Sequence, residues 1–314
     1  MKSYVWAVVL LVNVFAGSVS AQSDLINIAR NGLSSYTYLD QDGVLMTHDD
    51  DPTCVKLTDG VRSDGNAVKI IPWTWKAGPY RGRYLLFDFQ ETAYPELARI
   101  VWMFSNLSGH VLDRVTLFAG DDVSSLVQVG YIEPVKSGAS STIIDVPLEG
   151  AAGRYLKVWF ETDSNPDTST MVSICEFEVY ARKQFSDWID DYAGYLPVDG
   201  REKDDDPDND GLKNLIEFAL GGNPSENDAA AIRPTLQISG GEAEYCYRRR
   251  VDWLPRGLSY SLGISTDLVS AAFTNDTSAY SVLGVSEASG DFEMVTNRIP
   301  ITDEKSRFVT LMVE

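Results

Sequence analysis

Residues 154–161 read RYLKVWFE. Leu156, Val158 and Phe160 alternate with Tyr155, Lys157 and Trp159. A period of two is the signature of a strand buried on one face, because successive side chains point to opposite sides. The same reading extends both ways, to 84–89, 100–104, 114–118 and 142–146 before it and 172–180 after it. In the last of these, Cys175, Phe177 and Val179 are expected on one side and Glu176, Glu178 and Tyr180 on the other. Many short strands at regular spacing, with no long helix among them, predict a mainly β chain in which 22–182 form a β-sandwich.

The pattern changes after residue 182. Phe185, Trp188, Ile189 and Tyr192 recur at helical spacing, which predicts a short amphipathic helix. A second helix is expected over roughly 212–220, stopped by Gly221-Gly222 and Pro224. Residues 225–233 read as a linker. Strand-like stretches resume at 235–238, 244–249, 259–265, 292–296 and 308–313. The chain therefore divides into 22–182, a helical connector over 183–228, and a smaller β-domain over 229–314.

Between the two helices lies DPDNDGLKNLIE, residues 206–217. Counted from Asp206, acidic side chains fall at positions 1, 3 and 5 (Asp206, Asp208, Asp210). Gly211 is at 6, Leu212 at 7, Asn214 at 9 and Glu217 at 12. Ca2+ is a hard cation that takes about six to eight oxygens, and this is the spacing of an EF-hand loop. Leu212 would offer its backbone carbonyl and Glu217 both carboxylate oxygens. The alternative is a solvated acidic linker. Such a linker has no need of glycine at 6, glutamate at 12, or the apolar residues Leu215, Ile216, Phe218 and Leu220 that follow. The motif resembles the thrombospondin type 3 and dockerin families, which share the aspartate, glycine, asparagine and glutamate spacing. Dockerins carry two such repeats and this chain has one, so the resemblance implies a structural joint.

Further motifs occur in order along the first domain: NIARNG (27–32), KLTDGVRSDG (56–65), RVTLFAGDD (114–122), RYLKVWFE and ICEFEVYAR (174–182). Together they resemble the coagulation factor type C, or discoidin, family of galactose-binding-like domains. The resemblance implies a jelly-roll sandwich that binds glycans or lipid head groups and has no catalysis of its own. It also implies a structural calcium held by Asp59, Asp64 and Glu176 with carbonyls of 57–62. Asp59-Gly60 and Asp64-Gly65 are at the same time ordinary turn signals. The same carry-over brings Cys54 near Cys175 and implies a disulfide, with two buried free thiols as the alternative and Cys246 unpaired.

Ligands of such sandwiches are held by loops at one end. The richest stretch is WTWKAGPYRGR, residues 73–83. Trp73, Trp75 and Tyr80 could stack on sugar faces, and Arg81 and Arg83 could bond hydroxyls or acidic sugars. Tryptophans two residues apart would equally suit a core strand. Asn106 and His110, in SNLSGH, are second candidates.

Composition narrows the function. The 314 residues carry 26 basic and 46 acidic side chains, a net charge of −20. Such a surface repels nucleic acid and anionic membranes. Lys2, an uncharged run from 3 to 17 and Val19-Ser20-Ala21 predict a secretory signal peptide over 1–21. That run is short for a membrane span of about 20 residues. The expected place of the protein is outside the cell, secreted or at the cell surface, with the periplasm as the alternative. Only His48 and His110 could serve a catalytic triad, and neither G-x-S-x-G nor H-E-x-x-H occurs. His48, beside Asp49, Asp50 and Asp51, is expected in a flexible acidic loop. The expectation is a non-enzyme whose partner is a glycan or polysaccharide. The rivals are an adhesive or structural protein that holds a cell-surface protein, and an accessory part of a carbohydrate-active enzyme system. Arg248–Arg250 form the only dense basic patch and are expected to pair with the chain's own acids.

Overall fold

The computed structural model describes residues 24–30, 34–40, 42–71, 81–104, 111–135, 138–162, 171–266, 269, 273–301 and 308–314. The signal-peptide stretch, Trp73, Trp75, Tyr80, Asn106 and His110 lie outside them, as do the side chains of Asp64 and Arg81.

The first domain is two antiparallel sheets face to face. One carries β1 (Leu25–Asn27), β4 (Val68–Ile71), β6 (Pro95–Met103), β9 (Ser141–Pro147) and β11 (Val172–Arg182). The other runs β3-β2-β5-β10-β7-β8, formed by β2 (Ser35–Leu39), β3 (Leu45–Met46), β5 (Arg81–Ala93), β7 (Arg114–Gly120), β8 (Val127–Ile132) and β10 (Gly153–Thr162). The alternation of RYLKVWFE is realised in β10. Leu156, Val158 and Phe160 are fully buried between the sheets with Phe87, Trp102 and Phe177, and Tyr155, Lys157 and Trp159 face outward. Apolar side chains from both inner faces form this single core, as a sandwich requires.

In β11 the expected facing holds for Phe177 and Val179 but not for Cys175. A bulge between Ile174 and Glu176 shifts the register against β6. An extra residue reverses which face the following side chains take. Ile174 therefore joins the main core, while Cys175 packs on the other side with Val101 and Met103. Cys54 packs against the main core instead. The two thiols stand apart on different faces of the sheet and are free, as is Cys246, so the implied disulfide is not made. His48 also departs from expectation. It is buried against the Tyr38 ring at 4.6 Å, accepts the Asp50 N–H at Nδ1 (3.2 Å) and meets the Lys69 carbonyl at Nε2 (3.0 Å). Beside it, buried Asp51 accepts hydrogen bonds from the hydroxyls of Tyr36 and Tyr38. Aromatic packing and these bonds order the loop that composition alone marked as flexible.

The connector begins with α1 (Phe185–Asp190) and continues to α2 (Asn214–Leu220). The two pack through Trp188, Ile189, Phe218 and Ala219. Gly221 ends α2 in the left-handed region at φ 80° with Phe292 against it, so a Cβ there meets both strain and a ring. The stretch read as a linker holds a further short helix, α3 (Ala229–Ile232). The last domain has a four-stranded sheet, β12-β13-β16-β15, from β12 (Thr235–Ser239), β13 (Glu242–Arg250), β15 (Ser281–Val285) and β16 (Phe292–Pro300). A pair, β14 (Tyr260–Ser265) with β17 (Phe308–Val313), completes it. Its core joins Leu212 and Leu220 from the connector to Ala229 and Ile232 of α3 and to Tyr245, Tyr247, Val295 and Ile299.

The basic patch is consumed internally. Arg249 pairs with Glu293, buried Arg250 donates to the Phe218 carbonyl at 2.7 Å, and Arg248 lies over the Phe292 ring. Arg256, only 3% exposed, bridges the domains. Its guanidinium donates to Asp24 (2.9 Å), to the Lys183 carbonyl (3.1 Å) and to Asp252 (2.9 Å).

Candidate functional site

The connector loop turns on its own aspartates. Asp206 Oδ2 accepts the Gly211 N–H (3.0 Å), Asp208 Oδ1 that of Asp210 (3.1 Å), and Asp210 Oδ1 that of Leu212 (2.9 Å). Gly211 takes φ 87°, the left-handed bend that position 6 demands. Each of Asp206 and Asp208 thereby uses one oxygen for the turn. The other oxygen, Oδ1 of Asp206 and Oδ2 of Asp208, is buried without a partner. Glu217, one helical turn into α2, is fully buried with neither carboxylate oxygen bonded. Asn214 is also fully buried. Its amide nitrogen is spent on the Gly200 and Glu202 carbonyls (3.0 and 2.8 Å), and its Oδ1 has no partner.

Two trios of carboxylates share Asp210. One joins it to Asp206 and Asp208, the other to Glu217 and Asp228, and within each trio the oxygens lie no more than 4.8 Å apart. Burial pushes the Glu217 carboxyl up to about 8, and the charges of Asp208, Asp210, Asp228 and Asp206 add to the rise. Asp208 and Asp228 are raised chiefly by burial as well. Oxygens held together, shielded from water and left unbonded are costly on their own. A hard divalent cation among them removes both the unmet bonding and the repulsion. The loop residues read from the sequence are thus brought together. Leu212 sits behind them, its side chain in the C-terminal core. The reading missed Asp228, which stands before Ala-Ala-Ala-Ile. An aspartate ahead of good helix formers is a helix-start signal.

The second predicted site is assembled from segments 116 residues apart. Glu176 is fully buried on the outer face of β11. Its Oε1 accepts the Gly60 N–H at 3.1 Å, and its Oε2 has no partner. Burial pushes its carboxyl up to about 8, opposed by the Gly60 bond and helped by the charges of Asp59 and Glu178. Asp59 accepts the Val61 N–H at 2.8 Å. The Asn66 side-chain nitrogen meets four oxygens: Lys56 O (2.8 Å), both Asp59 oxygens (3.1 Å each) and Val61 O (3.4 Å). An amide nitrogen has two protons, so this ring holds more acceptors than its donor can serve. Asp64 opens a short 3-10 turn, Asp64–Asn66, beside it.

Of the predicted ligand residues, only Arg83 is described with its side chain. Strand register shows that Arg81 pairs with Thr162, Val172 with Ile71, Ser173 with Met103, and Glu161 with Arg114. The strand ends flanking 72–80, 105–110 and 163–170 therefore meet at one end of the sandwich. The connector leaves from the opposite end. Next to these strand ends, on the outer face, the Tyr84 and Trp159 rings pack at a 35° tilt with centroids 4.1 Å apart, and Lys157 Nζ lies 3.9 Å over the Tyr84 ring. Arg83 turns instead to the Met46 sulfur at the rim.

Cavities of about 160 and 200 Å³ lie beside the connector, lined among others by Ile26, Phe89 and Ser186 and by Phe185, Lys203 and Leu258. Neither is lined by Glu176 or Glu217. Among the described residues, no helix is long and apolar enough to cross a membrane.

No protein-family model and no curated protein matches the chain. Solved structures that resemble it include the family 32 carbohydrate-binding module of NanJ from C. perfringens in complex with galactose. That likeness is 12% identical, covers 50% of this chain and 98% of that one, and has a TM-score of 0.36. A module of the same family, CpGH89CBM32-6 of Clostridium perfringens, is 13% identical over 49% of this chain and 98% of its own, with a TM-score of 0.33. The lectin domain of lectinolysin complexed with Lewis B antigen is 16% identical over 49% and 95%, with a TM-score of 0.32. The mainly β, two-sheet architecture stands on the strand pairing itself.

Proposed function

We propose that the chain is an exported, non-catalytic carbohydrate-binding protein whose two β-domains are held by calcium. The observation that supports the glycan reading is the meeting of strand ends at one end of the sandwich. Among them are the described strand ends that flank 72–80 and 105–110 in the chain. A half-buried, tilted Tyr84–Trp159 pair with a lysine over the Tyr84 ring adjoins those strand ends. Aromatic faces flanked by cationic and hydrogen-bonding side chains are the chemistry that grips sugar rings. Binding of the mature chain to an immobilised glycan panel tests this. Saccharide binding that falls on Trp75→Ala or Trp159→Ala is expected. An empty panel, with a protein partner captured instead, would favour the adhesive reading.

Calcium is proposed at the connector, on Asp206, Asp208, Asp210, the Leu212 carbonyl, Asn214 and Glu217, and in the sandwich, on Asp59, Glu176 and neighbouring carbonyls. The ion supplies positive charge and coordination to oxygens the fold leaves unbonded. Raised carboxylate pKa values also mark catalytic acids. Here both glutamates are closed off from solvent and line neither cavity, which suits a buried ion and not a substrate.

A further inference from the structure

We propose that Asp228 is a ligand of the connector's ion, so that one cation clamps the acidic loop, helix α2 and the start of α3 together. This rests on reading the connector as a calcium site. Asp228 lies 18 residues beyond Asp210 and outside the twelve-residue motif, yet its oxygen falls within 4.8 Å of those of Asp210 and Glu217. Its Oδ1 is buried and has no partner. Its Oδ2 accepts the Asn223 N–H at 3.1 Å, which fixes the plane of the carboxylate and aims the free oxygen.

Asp228 occupies the residue before α3, where an aspartate ordinarily caps the helix with its own side chain. It does not do so here. Asp210 Oδ2 takes that role by accepting the N–H groups of Asp228 (3.2 Å) and Ala229 (2.6 Å). A loop ligand thus caps α3 and leaves the natural capping carboxylate turned to the cage. The unbonded buried oxygens are Asp206 Oδ1, Asp208 Oδ2, Asn214 Oδ1, both of Glu217 and Asp228 Oδ1, six in all. With the Leu212 carbonyl they number seven, within the roughly six to eight that calcium takes.

The consequence reaches the last domain. Ala229 and Ile232 of α3 are buried against Ala243, Tyr245 and Ile299 of the C-terminal sheet. Arg233, just after α3, donates back to the Asp210 carbonyl at 2.5 Å. Ion occupancy would therefore set the seating of the sheet on the connector, and removing the ion would loosen 229–314 as well as the loop.

Calorimetric titration of calcium into the mature chain tests this, paired with amide exchange over β12 and β13. The variants are Asp228→Asn and Asp204→Asn, the latter altering an exposed aspartate paired with Lys213. Asp228→Ser, which keeps a short polar residue ahead of α3, serves should the asparagine variant not fold. The expected result is calcium affinity weakened about tenfold or more in the Asp228 variants. Calcium-dependent protection of β12 and β13 should be lost with it, and Asp204→Asn should leave both unchanged. Wild-type affinity in the Asp228 variants overturns the inference while leaving the connector site standing. No calcium uptake by the wild type overturns both.

Discussion

Two glutamates, Glu217 in the connector and Glu176 in the sandwich, are both fully buried, and burial pushes both carboxyls up to about 8. Their surroundings differ. Every charge that acts strongly on Glu217 is negative, and both its oxygens lack a partner. Glu176 keeps one bond, from the Gly60 N–H, and the guanidinium of Arg62 lowers its carboxyl somewhat. In the first site no group of the chain satisfies the buried acidic oxygens. The second is partly satisfied by the protein itself. A divalent ion should therefore matter more to the connector than to the sandwich.

The largest effect expected tests whether the two sites report on one cooperative unit. Arg256→Ala removes the buried guanidinium shared by Asp24, Lys183 and Asp252, and stranding a buried partner costs about 3–5 kcal/mol. Calorimetric unfolding should split into separate sandwich and C-terminal transitions. A single unshifted transition would mean the bridge carries no coupling.

Next in size is the ion itself. At free calcium 100 times its dissociation constant the native state gains about 2.7 kcal/mol. That is about 5–11 °C for a domain of this size. Glu217→Gln should abolish most of that gain, yet leave the calcium-free protein no less stable, because the carboxyl raised to about 8 is already neutral near pH 7 without the ion and glutamine keeps its shape. A calcium-free protein that melts much earlier on this substitution would break the argument.

Glu176→Gln should have a smaller effect, about 1 kcal/mol, because the Gly60 N–H can still bond the amide oxygen. An effect equal to that of Glu217→Gln would erase the contrast between the sites.

The pH profile gives a further test of the two carboxyls together. A carboxyl raised from 4.5 to about 8 binds a proton in the folded chain that the unfolded chain has released. Stability in chelator should therefore fall as pH rises from about 5 to 8. Saturating calcium holds both groups ionised and should flatten or reverse that slope. Parallel profiles with and without calcium would contradict it.

What the sequence made legible follows the range of the interactions involved. Period two in RYLKVWFE marked β10 with its correct faces, and Gly221 marked the end of α2, because both signals are local. The connector loop was legible because its acidic side chains sit at fixed offsets within one turn. Asp228 was not, because its approach depends on how α3 folds back. The bulge that moves Cys175 to the outer face leaves no sign in the alternation of ICEFEV, and it undid the inferred disulfide. The order around His48 comes from Tyr38 and Lys69, which sequence places 10 and 21 residues away. β15 went unread because SVLGV has its apolar residues exposed at the sheet edge.

The most direct test of the account is calorimetric titration of calcium into the mature, chelator-stripped chain, with Glu217→Gln alongside. Uptake at submillimolar calcium that Glu217→Gln loses is the expected result. No uptake at millimolar calcium, or undiminished uptake by Glu217→Gln, would contradict the claim that buried acidic oxygens of the connector are held by an ion.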